Sequence, residues 1–409
     1  MNILVIASRV PFPLEKGDKL RLYNQLRHLS VRHKLTLCAL QDHALTEAQL
    51  EALSPLVNHI HVLRTPLLRK LWRMMWAWTS ELPFQVTWFT DGKAKRQLER
   101  VVADTQPDLI YCQLVRCAEY VKDFHAYPKV LDYMDAFSAG MHRRSHQEKN
   151  GLLAIFRQGL MRVEGTRLAR HESRTFDYFD AHTIISENDR LLIPHLHRDT
   201  IHIVPNGVDL DAFSASERSA PDVPTLLFTG NMSYAPNVDA AQHLVKDILP
   251  NVKTRPIRVV LAGAEPASSV SALASDEVIV TGWVNDIASE YKRATLFVAP
   301  LRLGTGLQNK VLEAMASALP CVLTPHAFAP LGMPAHGHAE ICDQPETCAA
   351  RIDWLLAHPE EAQDMASKAQ LEVKRKFTWT THGQTLDQVL QDAPVSYTHL
   401  RAHETKANL

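Results

Sequence analysis

The stretch APLRLGTGLQNKVLEAMASALP, Ala299 to Pro320, decides how this chain is read. It begins inside the apolar run Leu296-Phe-Val-Ala-Pro300, which predicts a buried strand. A loop bearing Gly304 and Gly306 follows, and then Leu307, Val311, Leu312, Met315 and Leu319 recur at helical spacing. Glycines let the backbone approach a ligand closely. The helix start beyond them presents free N–H groups and a positive dipole end to an anion. Lys310 falls in the first turn, where it can meet a phosphate. Glu313, about one turn further on, can accept hydrogen bonds from sugar hydroxyls. Together these features outline a nucleoside-diphosphate site. As a dinucleotide fingerprint GTGLQN is weak, because the third glycine is missing and the motif comes late in the chain.

Working outward, strand and helix patterns alternate twice over. The first half carries strand-like runs at Ile3–Ile6, Leu35–Leu40, His59–Leu63, Asp108–Cys112, Val130–Leu131 and His182–Ile185, separated by helical segments such as Lys19–Ser30 and Lys93–Asp104. The second half carries them at Thr225–Phe228, Arg258–Leu261, Val278–Val280, Leu296–Ala299 and Cys321–Leu323. Such alternation predicts two parallel sheets with crossover helices. The boundary falls near Ile203-Val-Pro-Asn-Gly207, and Ala215–Pro224 reads as a polar connector. Ligands in such folds sit at the carboxyl ends of strands.

A length of 409 residues fits two domains, each able to bury its own core. Lys plus Arg (44) and Asp plus Glu (45) nearly cancel, so no global field recruits nucleic acid. Met1-Asn-Ile-Leu-Val-Ile6 reads as a strand from the outset, without a secretory pattern, and no apolar run reaches the roughly 18–20 residues of a spanning helix. Cys38, Cys112, Cys117, Cys321, Cys342 and Cys348 form no C-x-x-C pair and are expected as buried thiols in a reducing cytosol. The 21 histidines lack ligand spacing, so no metal is expected.

Arg302, Gly304, Gly306, Lys310 and Glu313 fall in turn on the loop pattern R-x-G-x-G-x-x-x-K-x-x-E. Through it the chain resembles the GT-B glycosyltransferases of the retaining family 4 (GT4). The closer likeness is to the branch associated with bacterial exopolysaccharide (PEP-CTERM/exosortase-linked) clusters, and it extends to about Leu390. The resemblance implies an α/β GT-B fold: two Rossmann-like domains facing across a cleft, with C-terminal helices crossing back to the N-terminal domain. In that reading residues 1–204 form the acceptor domain, 205–375 the nucleotide-sugar domain and 376–394 the returning helix.

The same resemblance assigns roles. Gly17, in the loop Pro11-Phe-Pro-Leu-Glu-Lys-Gly17-Asp18, lines the site near the donor phosphates. Lys16 and Arg21 either add charge there or are solvated, and Asp18 suits a helix N-cap. Gly230 and Asn231 become donor contacts, and Val284, after Gly282-Trp283, packs against the base or simply forms a turn. Relatives carry an Arg and a Lys soon after the Gly230 loop; Ser233-Tyr-Ala-Pro-Asn237 supplies neither, leaving Arg302 and Lys310 to neutralise the diphosphate. Backbone N–H groups of Gly306, Leu307 and Gln308 stand in for a sugar-facing glutamate, whose position here is Thr305, and Glu313 takes the ribose. The family histidine after the strand Val130-Leu-Asp-Tyr-Met-Asp135 is missing. Asp135, then Asp132, are the candidates to touch the reacting sugars, with loop capping as their other reading. Glu172 suits an ion pair, Ser186 an N-cap, and Pro205-Asn-Gly-Val-Asp209 an interdomain turn.

Two segments stand apart. Leu67-Leu-Arg-Lys-Leu-Trp-Arg-Met-Met-Trp-Ala-Trp78 is either a basic amphipathic helix lying on anionic lipid or a core or acceptor-pocket helix. Val395 to Leu409 resembles the translation of a sequencing-library adapter, after a helix expected to stop at Asp392-Ala-Pro394. The resulting expectation is a cytoplasmic enzyme, at the inner membrane face if Leu67–Trp78 binds lipid. It moves a sugar from a nucleoside-diphosphate donor to a polysaccharide or lipid-linked acceptor without cofactor, metal or nucleic acid. The alternatives are a nucleotide-sugar epimerase of the same fold and a catalytically dead sugar-nucleotide-binding protein.

Overall fold

The apolar runs become strands because both their faces are covered, the mark of a parallel sheet. In β1 (Asn2–Ala7) every residue after Asn2 is buried. The computed structural model describes residues 1–147, 152–213, 221–303, 306–334 and 336–407, without side chains at 143–147, 152–154, 156 and 394–407. Gly304, Thr305 and residues 215–220 of the connector lie outside the described residues. The chain divides into two compact units, Met1–Pro205 with the residues from His382 on, and Asn206–Thr381.

In the first unit β1 is joined by β2 (Lys34–Gln41), β3 (His59–Arg64), β4 (Leu109–Gln113), β5 (Lys129–Asp132), β6 (Ala181–Ile184) and β7 (His202–Ile203). They lie in the order β3-β2-β1-β4-β5-β6-β7, with every neighbour parallel. The second unit holds β8 (Thr225–Thr229), β9 (Arg258–Ala262), β10 (Val278–Gly282), β11 (Leu296–Ala299), β12 (Cys321–Leu323) and β13 (Glu340–Ile341). Their order is β10-β9-β8-β11-β12-β13, again all parallel. β7 and β13 escaped the sequence reading, since two residues display no periodicity. In each sheet the order reverses between two adjacent strands, β1 and β4 or β8 and β11. Beyond the carboxyl ends of such a pair the flanking crossovers diverge and leave a crevice.

On one face of the first sheet, Leu22, Leu26 and Leu29 of the Gly17–Leu29 helix pack together with Leu386, Val389, Leu390 and Ala393 of the last helix. That last helix, Trp379–Ala407, is also clamped by Asp387, which meets His33 Nε2 at 2.6 Å and Arg32 at 3.1 Å. It runs through the stop expected at Asp392–Pro394. A proline withdraws one helical hydrogen bond without necessarily ending the helix. The other face of the sheet is filled by Leu98, Val101, Val102 and Tyr120.

Two acidic residues of the Leu152–Phe176 helix cap other helices. Glu164 accepts from the N–H groups of Phe84 and Gln85 at 2.7 and 3.0 Å. Glu172 accepts from the N–H and hydroxyl of Ser138, so it is a cap and not the ion-pair partner expected. Ser186 does cap its helix, accepting from Asp189 N–H at 3.1 Å, and Asp209 accepts from Asp211 and Ala212. Asp18 is no N-cap: Lys16 holds that position and Asp18 pairs with Arg9 at 2.9 Å.

The thiol expectation holds for Cys38, Cys112, Cys117 and Cys321, which are buried and form no disulfide. It fails for Cys342 and Cys348, which form a disulfide with Cα atoms 5.3 Å apart. The short turn from β13 into the Pro345–Ala357 helix brings those two side chains together.

Candidate active site

The second unit's switch point gathers most of the residues singled out. β8 is followed by Gly230 and β9 by Gly263, with φ of +149° and +145°. A Cβ on Gly263 would lie 1.9 Å from the Gly230 carbonyl oxygen, and one on Gly230 2.6 Å from Asn237 Nδ2. No side chain fits at either point, so backbone lines this part of the crevice. Asn231 is held within its turn. Its Oδ1 accepts from Ser233 N–H and Oγ at 2.9 and 2.6 Å, and its Nδ2 donates to Glu265 at 3.1 Å.

β11 leads through the loop to the Asn309–Ala316 helix. Its N-cap residue Gln308 makes no side-chain cap, and Gly306 has φ +73°. The first N–H groups of such a helix have no partner within it. Lys310, half-buried, donates from Nζ to Asn237 Oδ1 at 2.6 Å and stands 5.3 Å from the centre of the Phe228 ring. Burial brings its pKa down to about 8, although Glu313 favours the charge. Glu313 accepts from the Tyr291 hydroxyl at 2.8 Å through Oε2, and that hydroxyl sits 2.6 Å from Thr229 Oγ1. Its Oε1 accepts nothing among the described residues. Burial raises the Glu313 pKa despite these contacts.

Lys310 is thus tethered by a neutral amide, which leaves the charge of its protonated form for an anion. Arg302 differs: it makes a two-pronged pair with Asp239 at 3.0 and 2.7 Å and remains largely exposed. Asn237 and Asp239 lie on one helix, Ala235–His243, which anchors both cations. Leu307 is buried, Gln308 and Val284 are half-buried, and Trp283 beside Val284 is exposed. Asn237, Tyr291 and Thr229 were missed in the sequence. An asparagine, a tyrosine and a threonine in ordinary helix and strand patterns give no signal until the fold converges them.

In the first unit, Gly17 is exposed at the first turn of its helix, its Cβ direction 3.4 Å from Met134 Cε. Arg21 is neither solvated nor free to reach a ligand. It is fully buried and pairs with fully buried Asp132, Nε to Oδ2 at 2.7 Å and Nη2 to Oδ1 at 3.0 Å. Gln25, Tyr111 and Thr183 also donate to that carboxylate, at 3.3, 3.2 and 3.0 Å. Burial works against both charges, but facing each other they hold Asp132 below its ordinary value and Arg21 above its own. Asp132 is therefore an interior anchor and not the sugar contact expected of it. Asp135 is half-buried and its carboxylate accepts no hydrogen bond among the described residues. Burial, and then Asp189, push its pKa up to about 7.

No three His, Cys, Asp or Glu side chains among the described residues converge as metal ligands.

Residues 223–358 match the family described as Glycosyl transferases group 1. The matched segment contains all of the Gly230–Lys310–Glu313 geometry. A comparison of the whole sequence with curated proteins finds no match. In fold the chain is similar to HepE (Alr3699) of Anabaena, solved in complex with UDP: TM-score 0.65, 14% identity, 96% of this chain and 100% of that one. It is also similar to sucrose-phosphate synthase from Thermosynechococcus elongatus, with TM-score 0.66, 13% identity and coverage of 98% and 100%. A third is S. aureus TarM, solved with fondaparinux, alpha-GlcNAc-glycerol and UDP, with TM-score 0.65, 10% identity and coverage of 95% and 99%. At these identities the likeness is one of fold. The two all-parallel sheets make this a GT-B fold.

Proposed function

We propose that the protein is a retaining GT4-type hexosyltransferase that moves a sugar from a nucleoside diphosphate to a bacterial cell-surface saccharide or lipid-linked precursor. The observation that carries this is the cradle of Lys310, Glu313, Tyr291 and the glycine-lined β8 end, lying inside the segment that matches the group 1 transferases. HepE in complex with UDP and TarM with UDP and saccharides support the ligand class. Lys310 and the uncapped helix start meet the diphosphate, with Gly306 giving close approach, while Oε1 of Glu313 takes the ribose. Leu307 and Gln308 offer N–H groups to the sugar, Asn231 acts through its backbone, and Val284 packs on the base. Arg302, held by Asp239, shapes the loop.

The bond from the anomeric carbon to phosphate oxygen breaks and one to the acceptor oxygen forms on the same face. The acceptor proton passes to the departing phosphate, and no metal is invoked. Asp135 orients the acceptor hydroxyl, and Asp132 positions that loop through Arg21. A thermal-shift screen of nucleotide sugars tests the reading. A stabilising nucleotide sugar is expected, and indifference to all of them would contradict it.

A cytoplasmic location at the inner membrane face is the second part of the proposal, and its physics differs from the sequence expectation. No described helix is long and apolar enough to cross a membrane. In the Leu67–Trp76 helix the cations turn inward. Arg69 and Arg73 both reach the buried Asp91 at 2.9 Å, and Lys70 lies over Trp88. Leu67, Leu68, Leu71, Trp72, Met75, Trp76 and, beyond the helix, Trp78 are left exposed. Such a face binds lipid by apolar insertion, with little salt dependence. Losing even ~60 Å² of apolar burial costs ~1.5 kcal/mol, and the two rings together offer more than that, so Trp72→Ser with Trp76→Ser should weaken co-sedimentation with phosphatidylcholine vesicles at least about tenfold. Unchanged sedimentation would remove the membrane from the proposal.

A further inference from the structure

The first unit has its own switch-point crevice, and both strands that flank it run into an arginine. Arg9 lies two residues beyond β1 and Arg116 three beyond β4. The two are not equivalent. Arg9 donates to Asp18 at 2.9 Å. Arg116 has no carboxylate within ion-pair distance among the described residues. Its Nε donates to Gln85 Oε1 at 2.9 Å, and its two terminal nitrogens donate to no acceptor there. The guanidinium carbon of Arg116 stands 5.3 Å from the centre of the Phe89 ring and 4.7 Å from that of Phe137. That of Arg9 stands 5.7 Å from the same Phe89 ring. Arg116 is half-buried, and burial, reinforced by Arg9, lowers its pKa.

Stacking on rings stabilises a guanidinium, but it leaves the in-plane N–H groups unused. Those are the groups that grip a phosphate two at a time. Among the described residues, the acidic groups that act most strongly on it are Asp18, already engaged by Arg9, and Asp135, which the proposal above gives to the acceptor hydroxyl. Gln85 and Phe89 belong to the Phe84–Phe89 helix, which packs against the Leu67–Trp76 helix with its exposed tryptophans. A phosphate at Arg116 is therefore separated by one helix from a surface suited to a lipid chain.

We propose that Arg116, assisted by Arg9, binds a phosphate group carried by the acceptor, so that this chain uses phosphorylated acceptors. This rests on the transferase reading, and the test separates the two. With the donor site saturated by a nucleoside diphosphate, the full-length protein is titrated with inorganic phosphate by calorimetry. The parent is expected to bind it, and Arg116→Gln to bind about tenfold more weakly with unchanged nucleoside diphosphate affinity. Arg116→Lys keeps the charge but loses the planar stack and the fork. The same loss is expected of it, so it carries the test should Arg116→Gln not fold. Vesicles of phosphatidylcholine with phosphatidic acid, set against soluble glucose 6-phosphate, distinguish the source: retention of phosphatidic acid vesicles that depends on Arg116 identifies a lipid phosphate, and competition by the sugar phosphate alone a soluble one. Equal phosphate binding by parent and both variants, or binding of glucuronate in its place, overturns the proposal. Failure of the nucleoside diphosphate to bind the parent would instead strike the donor reading.

Discussion

Lys310→Ala is expected to bind a nucleoside diphosphate about ten- to a hundredfold more weakly than the parent while binding the nucleoside equally well. A hydrogen bond to a charged group contributes roughly 1.5–3 kcal/mol, and only the diphosphate offers one to this ammonium. The effect should be near the upper end, because Asn237, its partner in the free protein, is neutral and does not compete for the charge. Glu313→Ala should weaken both ligands alike, since the ribose is common to them. The pH dependence follows with a definite sign. Burial leaves Lys310 with a pKa of about 8, so its charge fades as pH rises through that value. Diphosphate affinity should then fall above it in the parent and stay flat in Lys310→Ala. Calorimetry on the two folded variants reads all of this. Equal losses for nucleoside and diphosphate in Lys310→Ala would remove the loop as a phosphate site.

Arg21→Met should destabilise the first unit by about 3–5 kcal/mol, the cost of leaving a buried charge without its partner. Asp132 would retain Gln25, Tyr111 and Thr183, all neutral donors. Arg21→Met combined with Asp132→Leu should lose less, because no unpaired charge is left behind. The parent pair should also resist acid. A carboxylate with a depressed pKa contributes stability above its unfolded value, about 3.9, and loses it only as pH falls through the lower folded value. Urea unfolding, followed by a probe within residues 1–205, measures these differences. A single substitution no worse than the double one would contradict the pairing argument.

These two predictions rest on residues that the sequence made legible to different degrees. All strands but β7 and β13 were readable because they are apolar runs, the inner ones covered on both faces, and the runs alone imply two parallel sheets. The Gly306–Lys310–Glu313 order was readable because strand, loop and helix follow one another without a break. Asp132 was misjudged because its partner Arg21 lies far away in sequence on another helix, and nothing local marks either as buried. The cations of the Leu67–Trp76 helix gave the opposite error. Helical spacing shows which residues share a face, but Asp91, which draws Arg69 and Arg73 inward, caps the Gly92–Thr105 helix, beyond the intervening Phe84–Phe89 helix. Arg116 gave no signal at all, since a lone arginine after a strand is ordinary until Phe89 and Phe137 are seen beneath it.

The central claim is sugar transfer from a donor held at Lys310 and Glu313, and one measurement meets it head on. The protein is incubated with the nucleotide sugar that most stabilises it, with and without a bacterial cell-envelope extract, and the nucleoside diphosphate released and the sugar-bearing products are followed. The account predicts release that depends on the extract, with the sugar appearing on a saccharide or lipid acceptor in its original anomeric configuration. An epimerised nucleotide sugar, or tight binding with no release in either case, would contradict it.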